Sequence, residues 1–148
     1  MTTTARVWKI VRGAGLAVAI VLVLIQLIPA DRTNPPVRID VDAPDEVKEI
    51  LRRACYDCHS HETRWPWYSR VAPVSWWIAD HVEHGRGDLN FSEWPALDFY
   101  AQELAFKDID EQITKGEMPL RNYTILHPEA RLTDDERETI LRWARSGS

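Results

Sequence analysis

Two cysteines are all that the 148-residue chain contains, which excludes a scaffold held by several disulfides. Acid is missing from the first thirty residues, which carry Arg6, Lys9 and Arg12 and therefore +3. The remainder holds the other 15 basic residues and all 23 acids, so it carries −8, and the whole-chain value of −5 averages two unlike parts. The acidic part lacks the clustered Lys and Arg that phosphate binding needs, which argues against nucleic acid as a partner. Internal repeats, low-complexity tracts and strand-like alternation are absent as well. What remains is an all-α reading, with a length that suits one domain and a tail.

The tail is apolar. From Gly13 to Ile28 the chain has no charge and a single amide, Gln26. Three basic residues precede this run, the pattern of a secretory signal or a membrane anchor. Val7 and Trp8 extend it toward the about 20 residues that a span needs, with Lys9 and Arg12 snorkelling to the interface. A cut after Ala30 would leave Ile28 where a small residue is wanted, so an uncleaved single-pass anchor over residues 1–30 is preferred to a cleaved signal. The basic end then stays in the cytoplasm. Everything after residue 30 lies outside the cytoplasmic membrane of a bacterium, in the periplasm; the cleaved alternative gives a soluble periplasmic domain. Residues 31–43, stiffened by Pro35 and Pro36, read as a linker, and 44–148 as the working domain.

Within that domain, Pro44 opens a helix with Asp42 as its cap and Val47, Ile50, Leu51 and Ala54 on one face. Pro73 starts a second helix with a stripe of Val74, Trp77, Ile78, His81 and Val82, which Gly85 ends in a left-handed cap, and Gly87 to Trp94 reads as loop. Pro95 opens a third, with Leu97, Phe99, Leu104 and Phe106, and Ile109 and Ile113 continue it to Gly116. Residues 121–131 show no period and read as an extended loop. Thr133 and Glu136 form a capping box for a last helix that buries Ile140, Leu141 and Trp143.

The chemistry sits at Cys55-Tyr56-Asp57-Cys58-His59. Two thiols three positions apart on a helical turn can each add to a vinyl group of one haem, and the next residue aims its imidazole at the iron. Export suits this motif, because covalent haem attachment in bacteria takes place outside the cytoplasm. The alternatives are a disulfide, a thioredoxin-like redox pair without its βαβ surroundings, and a zinc site completed by His81 and His84 at a spacing that matches no standard structural site.

An iron held by His59 has a second axial position. Met118 is the leading candidate, as the only methionine besides Met1, placed in a glycine turn before Pro119. A Met/His pair raises the reduction potential and favours electron transfer. Core filling is the plain alternative for Met118, and His81 is the alternative ligand. His61, His84 and His127 read as surface or loop residues. Trp indoles, Arg64 and Arg86 are candidates for the haem propionates, against an ordinary role as surface charges for the arginines.

On these residues the chain resembles the small exported haem-binding domain family of bacterial c-type cytochrome-like proteins, over roughly residues 31–145. The matching segments are RTNPP from Arg32 to Pro36, CYDCHSHETRWPWYSRVAPVSWW at 55–77, HVEHGRGDLNFSEW at 81–94, GEMPL at 116–120 and LTDDERETILRW at 132–143. A common version of the pattern has Asn where this chain has His61. The resemblance implies a cytochrome c-like, all-α domain with long loops, carrying one haem c on Cys55 and Cys58 with His59 and the Met of the Met-Pro segment as axial ligands. The expected role is an electron carrier serving an exported redox partner protein, not an enzyme; a haem sensor, a small peroxidase or a haem-free thiol–disulfide protein are the competing roles.

Overall fold

Every regular element that the computed structural model describes, over residues 3–94 and 99–147, is helical, apart from one isolated bridge between Ile39 and Glu93. The α-helices are α1 (Thr3–Leu24), α2 (Asp45–Ala54), α3 (Tyr56–His59), α4 (Val74–Asp88), α5 (Phe99–Lys115), α6 (Arg121–Leu126) and α7 (Asp134–Gly147). Short 3-10 turns occupy Ile25–Leu27, Trp67–Arg70 and Pro128–Ala130. The chain divides into two units, one of residues 1–32 with 65–80 and one of residues 33–64 with 81–148.

In the first unit, Arg6–Leu27 is long and apolar enough to cross a membrane. Its apolar side chains are exposed, Val7 to Leu24 included, so the run is not the core helix of this protein. The Gln26 amide donates to the Leu22 and Ala72 carbonyls at 2.8 and 3.1 Å and accepts from the Ala72 N–H at 2.9 Å. The one polar side chain between Gly13 and Ile28 is thereby satisfied at the helix end.

The second unit is built on α2, α5 and α7. The apolar face expected of α2 is the buried one: Val47, Ile50, Leu51 and Ala54. Val47, Ile50 and Leu51 join Phe106, Ile109 and Ile113 of α5 and Ile140, Trp143 and Ala144 of α7 in one core. An aromatic chain runs through it, from Tyr56 stacked on Phe91 (5.3 Å) to Trp94 and on to Phe106 and Trp143. The capping box of α7 is formed in both directions, Thr133 N–H to Glu136 and Glu136 N–H to the Thr133 hydroxyl, at 2.9 and 3.2 Å.

Several local expectations need correction. Asp42 does not cap α2, whose N-cap is Pro44 without a side-chain bond. Gly85 does not end α4, which continues to Asp88, so the expected loop from Gly87 begins late. On the stripe expected of α4, Val82 is buried but Val74 and Trp77 are exposed. Residues 121–131 are not an extended loop but α6 and a 3-10 turn, too short to display a period. The proposed start at Pro95, with Leu97, lies outside the described residues. Within the segment 31–43 read as a linker, Val41 is fully buried, Asn34 donates to the Thr63 carbonyl, and Pro36 accepts from His61.

Candidate functional site

The Cys-x-x-Cys-His segment is a break between two helices. Cys55 leaves helical geometry (φ −125°, ψ −34°) yet still closes α2 through its N–H to Leu51, while its carbonyl accepts from both Cys58 and His59. This one tight turn gathers the backbones of Cys55, Cys58 and His59. Both thiols are unbridged. Burial pushes the Cys55 thiol up to about 12, with Cys58 adding to the effect, and pushes Cys58 up to about 11, with Asp57 adding. Reactive redox cysteines need the opposite shift, toward the thiolate.

The His59 imidazole is oriented by backbone carbonyls. Its Nδ1 lies 2.8 Å from the Gly85 oxygen and 3.1 Å from the Leu89 oxygen. Carbonyls only accept, so Nδ1 carries the proton, and burial lowers the pKa and keeps the ring neutral. Nε2 is therefore left with its lone pair, the form in which histidine binds a metal. Gly85 makes this approach possible. A Cβ on Gly85 would stand 2.8 Å from the Cys58 oxygen and 3.4 Å from the Cys58 Cβ, so any larger residue would lift α4 off the cysteine turn.

A cavity of about 500 Å³ opens beside this turn. That volume falls within the about 300–1,000 Å³ of small-molecule and cofactor sites. Cys55, His59 and Met118 all line it, with Leu51, Phe91, Ile109, Ile113 and Ile140 as apolar wall and Asp88, Asp108 and Gln112 as the polar members. Met118 arrives there through the end of α5. Gly116 takes a left-handed conformation (φ 70°), its N–H bonds to Ile113 and the Glu117 N–H bonds to Gln112. This pair of bonds is the Schellman motif, which closes a helix and turns the chain back on it. His81, on α4, is half-buried and is not among the lining residues; neither is Cys58, which packs against α4 at Gly85.

Asp57 has a role that spacing does not reveal, because it stands at a variable position of the motif. Its buried carboxylate accepts from the Arg64 N–H and guanidinium and, at 2.7 Å, from the Tyr123 hydroxyl. Tyr123 belongs to α6, which begins three residues after Met118, so the cysteine turn and the Met118 segment are joined by a side-chain bond.

The arginines proposed for propionates are occupied otherwise. Arg64 pairs with Asp57, and Arg86 donates to Ser60, Thr33, Asn34 and Thr63; neither lines the cavity. No tryptophan lines it among the described residues. His61 is not a surface residue: it is buried, its Nδ1 donating to Pro36 and its Nε2 accepting from Asn90. His127 stacks on Tyr123 at 4.4 Å, and His84 is exposed. No three of the metal-binding side chains His, Cys, Asp and Glu converge among the described residues, so the zinc reading with His81 and His84 has no geometric support.

Comparison with known sequences adds one match. The profile of a family described as haem-binding domain fits residues 20–146. Comparisons with curated proteins and with solved structures give no significant match.

Proposed function

The chain belongs to the haem-binding domain family, and on that premise we propose that it carries one covalently attached haem c as a membrane-anchored electron carrier. The observation that carries this reading is the shared cavity: Cys55 of the motif, His59 and Met118 line the same largely apolar space. The donor set suits haem, with an imidazole holding its proton on Nδ1, a thioether, and two thiols kept neutral by burial. When bound, haem supplies a one-electron Fe(III)/Fe(II) couple.

The residues divide the work. The thiols of Cys55 and Cys58 would hold the haem as thioethers to its two vinyl groups, each S–H adding across the C=C so that nothing leaves. His59, its ring fixed by Gly85 and Leu89, would supply an imidazole to the iron. Met118 would supply a thioether to the iron and so raise the potential. Leu51, Phe91, Ile109 and Ile140 exclude water from the porphyrin faces. The acidic charge after residue 30 steers a basic redox partner in the periplasm, and the N-terminal helix keeps the domain at the membrane.

Spectra of the haem-loaded full chain test the assignment. A six-coordinate, low-spin iron in both oxidation states, reversible reduction and no carbon monoxide binding support the carrier. Ready carbon monoxide binding by the reduced protein would show an open distal face and replace the carrier with a sensor or a small peroxidase.

A further inference from the structure

Four hydrogen bonds within the first unit fix where its second segment sits. Gln26 exchanges two with the Ala72 backbone, at 2.9 and 3.1 Å. The Trp76 indole donates to the Ile28 carbonyl at 3.1 Å, and Arg32 donates to the Ser69 carbonyl at 2.8 Å. Residues 69–76 are thus held level with residues 26–32, the last turn and exit of the apolar helix. That helix, Arg6–Leu27, is 22 residues long. At 1.5 Å per residue it spans about 33 Å, against about 30 Å of hydrocarbon, so its exit lies at the boundary between acyl chains and headgroups.

The side chains exposed at that level are not those of a water-facing surface. Trp67 is 78% exposed, Trp77 51%, Val71 45% and Val74 43%, with Arg70 exposed among them. Trp at the headgroup level, with aliphatic neighbours and a cation able to reach phosphate, is the composition of an interfacial belt. Ser69, Ala72 and Ser75 are buried on the other side, so the segment has an inner face turned to protein and an outer face of Trp and Val.

We propose that Trp67–Trp77 is a collar that rests in the lipid–water interface of the membrane crossed by Arg6–Leu27, with Trp67, Val71, Val74 and Trp77 inserted among the lipids. The occupant of this patch is the bilayer, because the hydrogen bonds at Gln26, Ile28 and Arg32 set the patch at bilayer depth. The inference rests on the anchor reading and deepens it: the uncleaved helix and the Trp-rich segment act as one membrane-binding unit, and the chain before Arg32 is a part of the mature fold.

The test uses the full haem-loaded chain labelled with 5-fluorotryptophan, in vesicles of phosphatidylcholine with a minority of phosphatidylglycerol. Fluorine line widths are compared with and without a nitroxide headgroup lipid, and with and without an aqueous gadolinium chelate; single Trp→Phe replacements assign the lines. Trp8 reports the span and Trp143 the core. The expected result is several-fold broadening of Trp8, Trp67 and Trp77 by the lipid label, with Trp143 unaffected, and loss of the effect at Trp67 and Trp77 but not at Trp8 in Gln26→Leu. Trp8 broadened by lipid while Trp67 and Trp77 respond only to gadolinium would overturn the collar and leave the anchor standing. No lipid effect at Trp8 would overturn the anchor and the collar with it. Trp67 and Trp77 shielded from both agents would assign the patch to a protein partner and overturn the proposal.

Discussion

The Tyr123 hydroxyl donates a 2.7 Å hydrogen bond to the buried carboxylate of Asp57, joining the segment that follows Met118 to the turn that carries both cysteines. A hydrogen bond to a charged acceptor contributes about 1.5–3 kcal/mol, and Arg64 still serves Asp57 when the phenol is lost. Tyr123→Phe is therefore expected to cost about 1–2 kcal/mol in denaturant unfolding. If Met118 ligates the iron as proposed, the same variant is expected to loosen it, seen as a lower reduction potential and faster binding of added imidazole. Unchanged ligand binding would leave the bond a purely structural one.

Gly85 and Gly87 make a matched pair on one helix. A Cβ at Gly85 meets the Cys58 oxygen at 2.8 Å, whereas a Cβ at Gly87 meets nothing within 4 Å. Gly85→Ala is expected to destabilise by about 1–3 kcal/mol through overpacking and to disturb the His59 bonds. Gly87→Ala gains up to about 1 kcal/mol of helix propensity. Urea midpoints of the two variants give the comparison.

The haem-free chain has an alkaline weakness. Cys55 and Cys58 titrate near 9.0 when unfolded but are pushed up to about 12 and about 11 when folded. The folded state thus holds protons that the unfolded state releases. Stability is full below pH 9 and falls as the pH rises toward 11. Tyr56 and Tyr123 are raised as well, but from 10.0, so their effect begins later. Urea unfolding between pH 8 and 10 is expected to show the loss in the haem-free chain. The proposed thioethers would remove both thiols, so the haem-loaded chain is expected to keep its stability over that range.

On the proposed attachment, Met118→Ala is expected to leave haem in place, since the thiols are untouched, while removing a side chain that lines the cavity. The expected outcome is a lower potential and a carbon monoxide-binding ferrous state. Unchanged spectra and potential would show that another group holds the distal position.

Elements with strong local signals were legible. The α2 face, the α7 capping box and the cysteine motif each follow from residues close together in the chain. Gly116 was also readable as a turn that returns Met118 to the body of the domain. What stayed hidden depends on contacts distant in sequence. Gly85 resembles a helix cap until Cys58 is seen against it, and His61 is the loop residue it reads as, but one that Pro36 and Asn90 bury. Arg86 has the chemistry for propionates but spends its donors on four neighbouring oxygens. Asp57 carries no signal of its own, because its partner Tyr123 is 66 residues away.

The intact mass of the denatured protein, made in cells with an active haem-attachment system, bears most directly on covalent haem at Cys55 and Cys58. The full chain is expected to exceed its polypeptide mass by one haem, and Cys55→Ala with Cys58→Ala to lose that increment. A bare polypeptide mass, with haem released into the organic phase on denaturation, would contradict covalent attachment.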